Sequence, residues 1–174
     1  MSVRPRIGDL IKIPLTSGIN AYAQYVFWDR NYGPLIQVFN FSNQENDQTE
    51  EILTAGALFP PIITGLFSAI RSGMWEVIGN NPIKDFSYPN FLSSEYDEKT
   101  GKVKQWFMWN GDKWTKLGQT LPRKYKKLEY LIVWDPKNVE KRIEDGGEEP
   151  FPYKDLKELN MFNPKKGETN VDEG

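Results

Sequence analysis

Cysteine and histidine are both missing from the 174 residues. Without cysteine there is no disulfide framework, thiolate zinc site or thiol nucleophile. Without histidine there is no imidazole base, Ser–His–Asp triad or histidine metal ligand. Most hydrolase and metalloenzyme mechanisms are thereby excluded. Carboxylate, Lys or Tyr chemistry and oxygen-ligated metals survive. An excess of one charge is also lacking. The 22 basic and 24 acidic side chains give a net charge of −2, with no global attraction to nucleic acid or an anionic membrane. Long apolar runs are absent too. The most apolar stretch, Ile52 to Ile70, is broken by Thr54, Gly56, Pro60, Pro61 and Gly65, which argues against a membrane helix. Met1 to Ile7 has two arginines with no apolar run behind them, so it does not read as a signal peptide. The expectation is a cytoplasmic protein with no membrane or direct nucleic-acid partner.

What the chain does have is aromatic residues: six Trp, eight Tyr and ten Phe. Its length suits one domain, read here as β-rich over residues 1–162 with a polar, frayed tail over 163–174. Asp9 to Leu15 alternates with a period of two, and Ala21 to Trp28 does the same across a Thr-Ser-Gly turn. In the second run Ala21, Ala23, Tyr25 and Phe27 share one face, and Tyr22, Gln24, Val26 and Trp28 share the other. Leu35 to Phe41 is a third strand. Gln48 to Leu58 predicts a short helix, Ile62 to Ile70 fits strand or helix, and Met74 to Ile78 reads as a strand. Residues 84–101 read as loop. Lys102 to Trp109 and Lys113 to Leu117 form a hairpin about Asn110-Gly111, a pair that tolerates positive φ at both central turn positions. Leu128 to Trp134 is one more strand. Asp135 and Pro136 predict the N-cap and first residue of a helix through Glu144, and Leu156 and Leu159 mark a last helical turn. The fold class is mainly β (β-rich α+β): a strongly bent antiparallel sheet or small partly open barrel, with two or three short helices.

No arrangement of reactive groups stands out. Glu50/Glu51, Asp97/Glu98, Glu144/Asp145 and Glu148/Glu149 are chain neighbours, which do not face each other on a helix or strand. Asp29 and Glu76 lie at or within apolar strands, yet a strand-end turn residue and a solvent-facing strand residue explain them more simply than a catalytic pair does. No phosphate-binding glycine loop occurs, and no catalytic, metal-ligating or cofactor-binding residue is assigned. The run Arg123-Lys124-Tyr125-Lys126-Lys127 is basic but local. Trp106, Trp109 and Trp114 fit either cross-strand packing or a stacking platform for a sugar or other ligand. Glu45, Asp47, Glu50 and Glu51 lie within seven residues without a base among them. They form either a solvated loop or a docking surface for a basic partner.

Three ordered patches carry a resemblance. Gly8-Asp9-Leu10-Ile11-Lys12-Ile13-Pro14-Leu15 with Ala21-Tyr22-Ala23-Gln24, then Gly33-Pro34-Leu35-Ile36-Gln37-Val38-Phe39, then Gly73-Met74-Trp75-Glu76-Val77-Ile78-Gly79-Asn80, together resemble the immunity protein 26 family over about residues 7–92. The resemblance implies a mostly β protein of a bacterial polymorphic toxin system that neutralises a cognate toxin without catalysis. Its partner would be the toxin domain. The expected contacts are Glu45, Asp47, Glu50 and Glu51, with Tyr22 and Trp28 as anchors where exposed. The alternative is a carbohydrate- or other ligand-binding β module using Trp106, Trp109 and Trp114, which requires a row of exposed, coplanar indoles. An enzyme would instead require acids such as Asp29 and Glu76 to converge in a pocket.

Overall fold

The computed structural model describes residues 3–44 and 49–162; the tail expected over 163–174 lies outside them. Ten strands and four α-helices are found among the described residues, in two open sheets that each mix antiparallel pairs with one parallel pair. The β-rich α+β class is therefore observed, without a closed barrel. The chain divides into two compact units: Met1–Ser87 with Ile132–Glu148, and Tyr88–Leu131 with Glu149–Gly174.

The first unit is built on a sheet of six strands: β1 (Asp9–Pro14), β2 (Asn20–Asp29), β3 (Gly33–Asn43), β4 (Ile62–Thr64), β5 (Glu76–Asn80) and β10 (Val133–Trp134). Their order across the sheet is β10-β4-β3-β2-β1-β5. The alternation in the first strands is realised on both faces. Ile11, Ile13, Ala21, Ala23, Tyr25, Ile36 and Val38 enter one core. Leu10, Tyr22 and Phe39 enter another on the opposite face. Helix α1 (Thr49–Thr54) covers the second face with Ile52. Helices α2 (Leu66–Arg71) and α3 (Pro136–Glu144) cover the first with Leu66, Ala69 and Val139. A sheet buried on both sides tolerates few polar strand residues, which is why seven of the ten residues of β2 are apolar or aromatic. Each fully buried Ile or Leu here contributes about 1.5–3 kcal/mol.

The start of α3 follows the sequence pattern. Asp135 Oδ1 accepts from Lys137 N at 2.8 Å, and Pro136 occupies the first turn; such a cap contributes about 1 kcal/mol. The stretch Ile62 to Ile70 resolves into both alternatives, strand β4 and then helix α2. With α1, α3 and α4 (Tyr153–Leu159) this makes four helices, not two or three.

The second unit holds β6 (Phe91–Tyr96), β7 (Val103–Trp109), β8 (Trp114–Gly118) and β9 (Glu129–Tyr130), in the order β8-β7-β6-β9. Strand β6 falls where the sequence reads as loop. Its polar Ser93, Ser94 and Glu95 hide the pattern, and ladders on both sides supply the order that local propensity does not. The expected single strand Leu128 to Trp134 is two: β9 in this sheet and β10 in the other. Leu92, Val103, Trp106, Leu121 and Leu156 form the core. Asn160, left-handed at φ 47°, closes α4. Its Oδ1 accepts from Trp106 Nε1 at 2.8 Å and Leu121 N at 3.1 Å. Buried Lys157 donates to Glu149 Oε2 at 2.7 Å and to the Leu128 carbonyl, which offsets the cost of placing an ammonium inside. No helix among the described residues is long and apolar enough to cross a membrane.

Candidate interaction surface

The residues expected to contact a partner are not gathered in one place. Glu50 and Glu51 are exposed on the first turn of α1, where their charge suits the helix dipole. Glu45 and Asp47 lie outside the described residues. Tyr22 is fully buried and is not an exposed anchor. Its ring sits in the core that Ile52 closes, and its hydroxyl donates to Asn43 Oδ1 at 2.8 Å. Trp28 is exposed, at 46%. Six residues of strand separate it from Tyr22, about 20 Å. The acidic helix thus adjoins the Asn20–Asn43 end of the β2–β3 ribbon, and Trp28 lies at the Asp29–Gly33 end.

A β-bulge decides where Trp28 points. Tyr25 pairs with Ile36 but Phe27 pairs with Leu35, so β2 spends one extra residue there. An extra residue inverts the facing of everything beyond it. Trp28 therefore shares a side with Tyr25, contrary to the strict alternation expected. The Phe67 ring joins them: it stacks on Trp28 at 5.6 Å and meets Tyr25 edge-on at 6.0 Å. Phe27 turns instead to Phe86, stacked at 5.1 Å.

Beside this trio lies an open groove of about 330 Å³ lined by Val3, Arg4, Pro5, Phe67 and Arg71. Arg4 and Arg71 are exposed. Burial pushes the Tyr25 hydroxyl above its usual range, and the Arg4 charge opposes that push. The sequence signalled Trp28 but not its neighbours. Arg4 and Arg71 are 67 positions apart, and only the fold brings them to one groove.

The other candidate arrangements come apart. Asp29 is a buried turn residue whose Oδ1 accepts from Asn31 N at 2.7 Å and Tyr32 N at 2.9 Å. Glu76 is exposed and pairs in register with Lys12, itself opposite Tyr22. The two acids are therefore roughly 20 Å apart along the sheet. No group of three acidic side chains converges among the described residues. Trp106 and Trp109 are buried and only Trp114 is exposed, with the Trp109 and Trp114 rings inclined at 40°. The hairpin therefore offers no row of exposed, coplanar indoles. Its turn also differs from the expected one. Trp109 faces Trp114 across four residues, Gly111 alone has positive φ, and Asn110 Oδ1 accepts from Asp112 N and Lys113 N. In the basic run, Lys126 pairs with Glu158 at 3.3 Å and Lys124 lies over the Tyr125 ring.

The residues that carry the resemblance do meet, and their work is structural. Asp9 accepts from Asn80 Nδ2 and Arg6 N, both at 2.8 Å. Gln24 Nε2 donates to the carbonyls of Gly8 and Asn81. The first and third patches thus clasp β1, β2 and β5 together. Trp75 is buried in the main core and donates from Nε1 to Glu140 Oε1 at 3.0 Å. No curated protein and no solved structure matched the chain. The family model for immunity protein 26 matches residues 6–106, spanning the clasp, five of the six strands of the larger sheet and most of β7. With more than half its length matched over the elements that build the sheet, the chain belongs to the immunity protein 26 family.

Proposed function

We propose that this protein neutralises a bacterial toxin by binding its toxin domain in the cytoplasm, without catalysis. The observation that supports this reading is the family match over residues 6–106. The mechanism is steric and electrostatic. A surface complementary to the toxin covers its active site or substrate path, and charged side chains accelerate the encounter. Exposed Glu50 and Glu51 on α1, with Glu45 and Asp47 beside them in sequence, supply a negative field toward a basic toxin surface.

The test is direct binding between the full chain and the purified toxin domain encoded beside its gene, together with rescue of cells expressing that domain. Binding with rescue is expected. A folded chain that neither binds nor protects removes the reading. Glu50→Lys with Glu51→Lys should lower the association rate about tenfold at low salt and little at high salt.

A further inference from the structure

We propose that the groove lined by Phe67, Arg4 and Arg71 receives an acidic segment of the toxin, with the Phe67 ring, on which exposed Trp28 stacks, as its apolar wall and the two arginines as carboxylate ligands. This rests on the toxin-binding reading and adds the face used and the chemistry recognised. It is a second contact region, at the opposite end of the β2–β3 ribbon from the acidic helix.

Four observations carry it. Trp28 is 46% exposed, although its ring stacks on Phe67. An indole held in one orientation loses little entropy when a partner covers it. Phe67 is held in turn by Tyr25, whose strand is in the core. Arg4 and Arg71 line the same groove, and neither has an ion-pair partner among the described residues. Trp and Arg are the residue types that most often dominate binding energy at protein interfaces.

Charge complementarity selects the occupant. A guanidinium fork matches a carboxylate with two parallel hydrogen bonds, and two forks beside an aromatic wall suit an acidic side chain next to an apolar one. Nucleic acid fits less well. Affinity for it grows with the number of phosphates neutralised, and this groove offers two cations on a chain of net charge −2. The β2 bulge gives the arrangement its purpose: without it Trp28 would lie on the other side of the strand, away from Phe67 and the groove.

The test compares the full chain with Arg4→Glu/Arg71→Glu and, separately, Trp28→Ala, in titration against the same toxin domain. The arginine pair is exposed and makes no ion pair among the described residues, so its reversal should leave the fold intact, checked by circular dichroism. We expect affinity to fall about thirtyfold for the arginine pair and about tenfold for Trp28→Ala. The wild-type affinity should also weaken as NaCl rises from about 50 to about 500 mM, more steeply than that of the arginine variant. If wild type binds and both folded variants bind within about twofold of it, the groove is not a contact and the inference falls while the toxin reading stands. If Trp28→Ala unfolds, the arginine pair alone decides. Failure of wild type to bind the toxin overturns both, and binding abolished by nuclease treatment overturns the acidic-segment assignment.

Discussion

Replacing Trp75 with Phe should destabilise this protein far more than a change between two aromatic residues suggests. Trp75 is 1% exposed, and its indole N–H donates at 3.0 Å to Oε1 of Glu140, itself only 7% exposed. Phenylalanine keeps an aromatic ring in the core but is smaller and has no donor. The carboxylate would then retain Lys137, a weak partner at 3.7 Å whose own side chain is largely exposed. Loss of a hydrogen bond to a buried charged group costs about 1.5–3 kcal/mol. The smaller ring adds about 1 kcal/mol for the space it leaves. Trp75→Phe should therefore cost about 3 kcal/mol, moving the urea midpoint by about 1.5 M for a slope near 2 kcal/mol/M. The Trp75→Phe/Glu140→Leu double variant separates the two contributions, because removing both partners leaves no unsatisfied charge. It should be less destabilised than the sum of the single variants by at least about 1 kcal/mol. The measurement is urea denaturation followed by far-ultraviolet circular dichroism. A cost for Trp75→Phe below about 1 kcal/mol, or strict additivity, would refute the account of Glu140 as a carboxylate that depends on this indole.

Two further outcomes follow from local geometry. Gly101 has φ +72°, and an added Cβ would lie 2.2 Å from the Phe162 carbonyl oxygen, so Gly101→Ala must displace backbone. It should cost about 3 kcal/mol, against about 1 kcal/mol for Gly18→Ala, whose φ is also positive but whose Cβ meets nothing. Equal costs in thermal melts would show that no clash operates at Gly101. Glu144 Oε1 accepts from the Thr16 hydroxyl at 2.6 Å and the Thr16 backbone N–H at 2.9 Å, and these bonds hold its carboxyl below the usual value of 4.5. A depressed folded-state value stabilises above 4.5, and the stabilisation fades as pH falls through the lowered value. Wild type should therefore melt above Glu144→Gln at neutral pH and converge with it in acid; a gap that widens on acidification would contradict this.

Much of the larger sheet was legible in the chain. The period-two runs of β1 to β3 place Ile11, Ala23 and Ile36 on one face and Leu10, Tyr22 and Phe39 on the other, because alternation transfers directly to a sheet covered on both sides. The start of α3 was legible for an equally local reason, since Asp and Pro satisfy the first turn by themselves. Strand β6 was not, because its order comes from partners at Trp109 and Glu129, far along the chain. The division of Leu128 to Trp134 between two sheets was hidden for the same reason.

The sequence by itself determined the chemistry that is unavailable, the β-rich class and the family, since composition, alternation and turn residues are local properties. The tertiary structure alone decided which aromatic side chains face solvent. Tyr22 and Trp28 share a strand and, by strict alternation, a face. A single extra residue between Tyr25 and Phe27 turns Trp28 onto Phe67 beside Arg4 and Arg71, while Ile52 of α1 helps close the core that holds Tyr22. Bulges and long-range packing depend on which strands meet, and that pairing is a property of the assembled sheet.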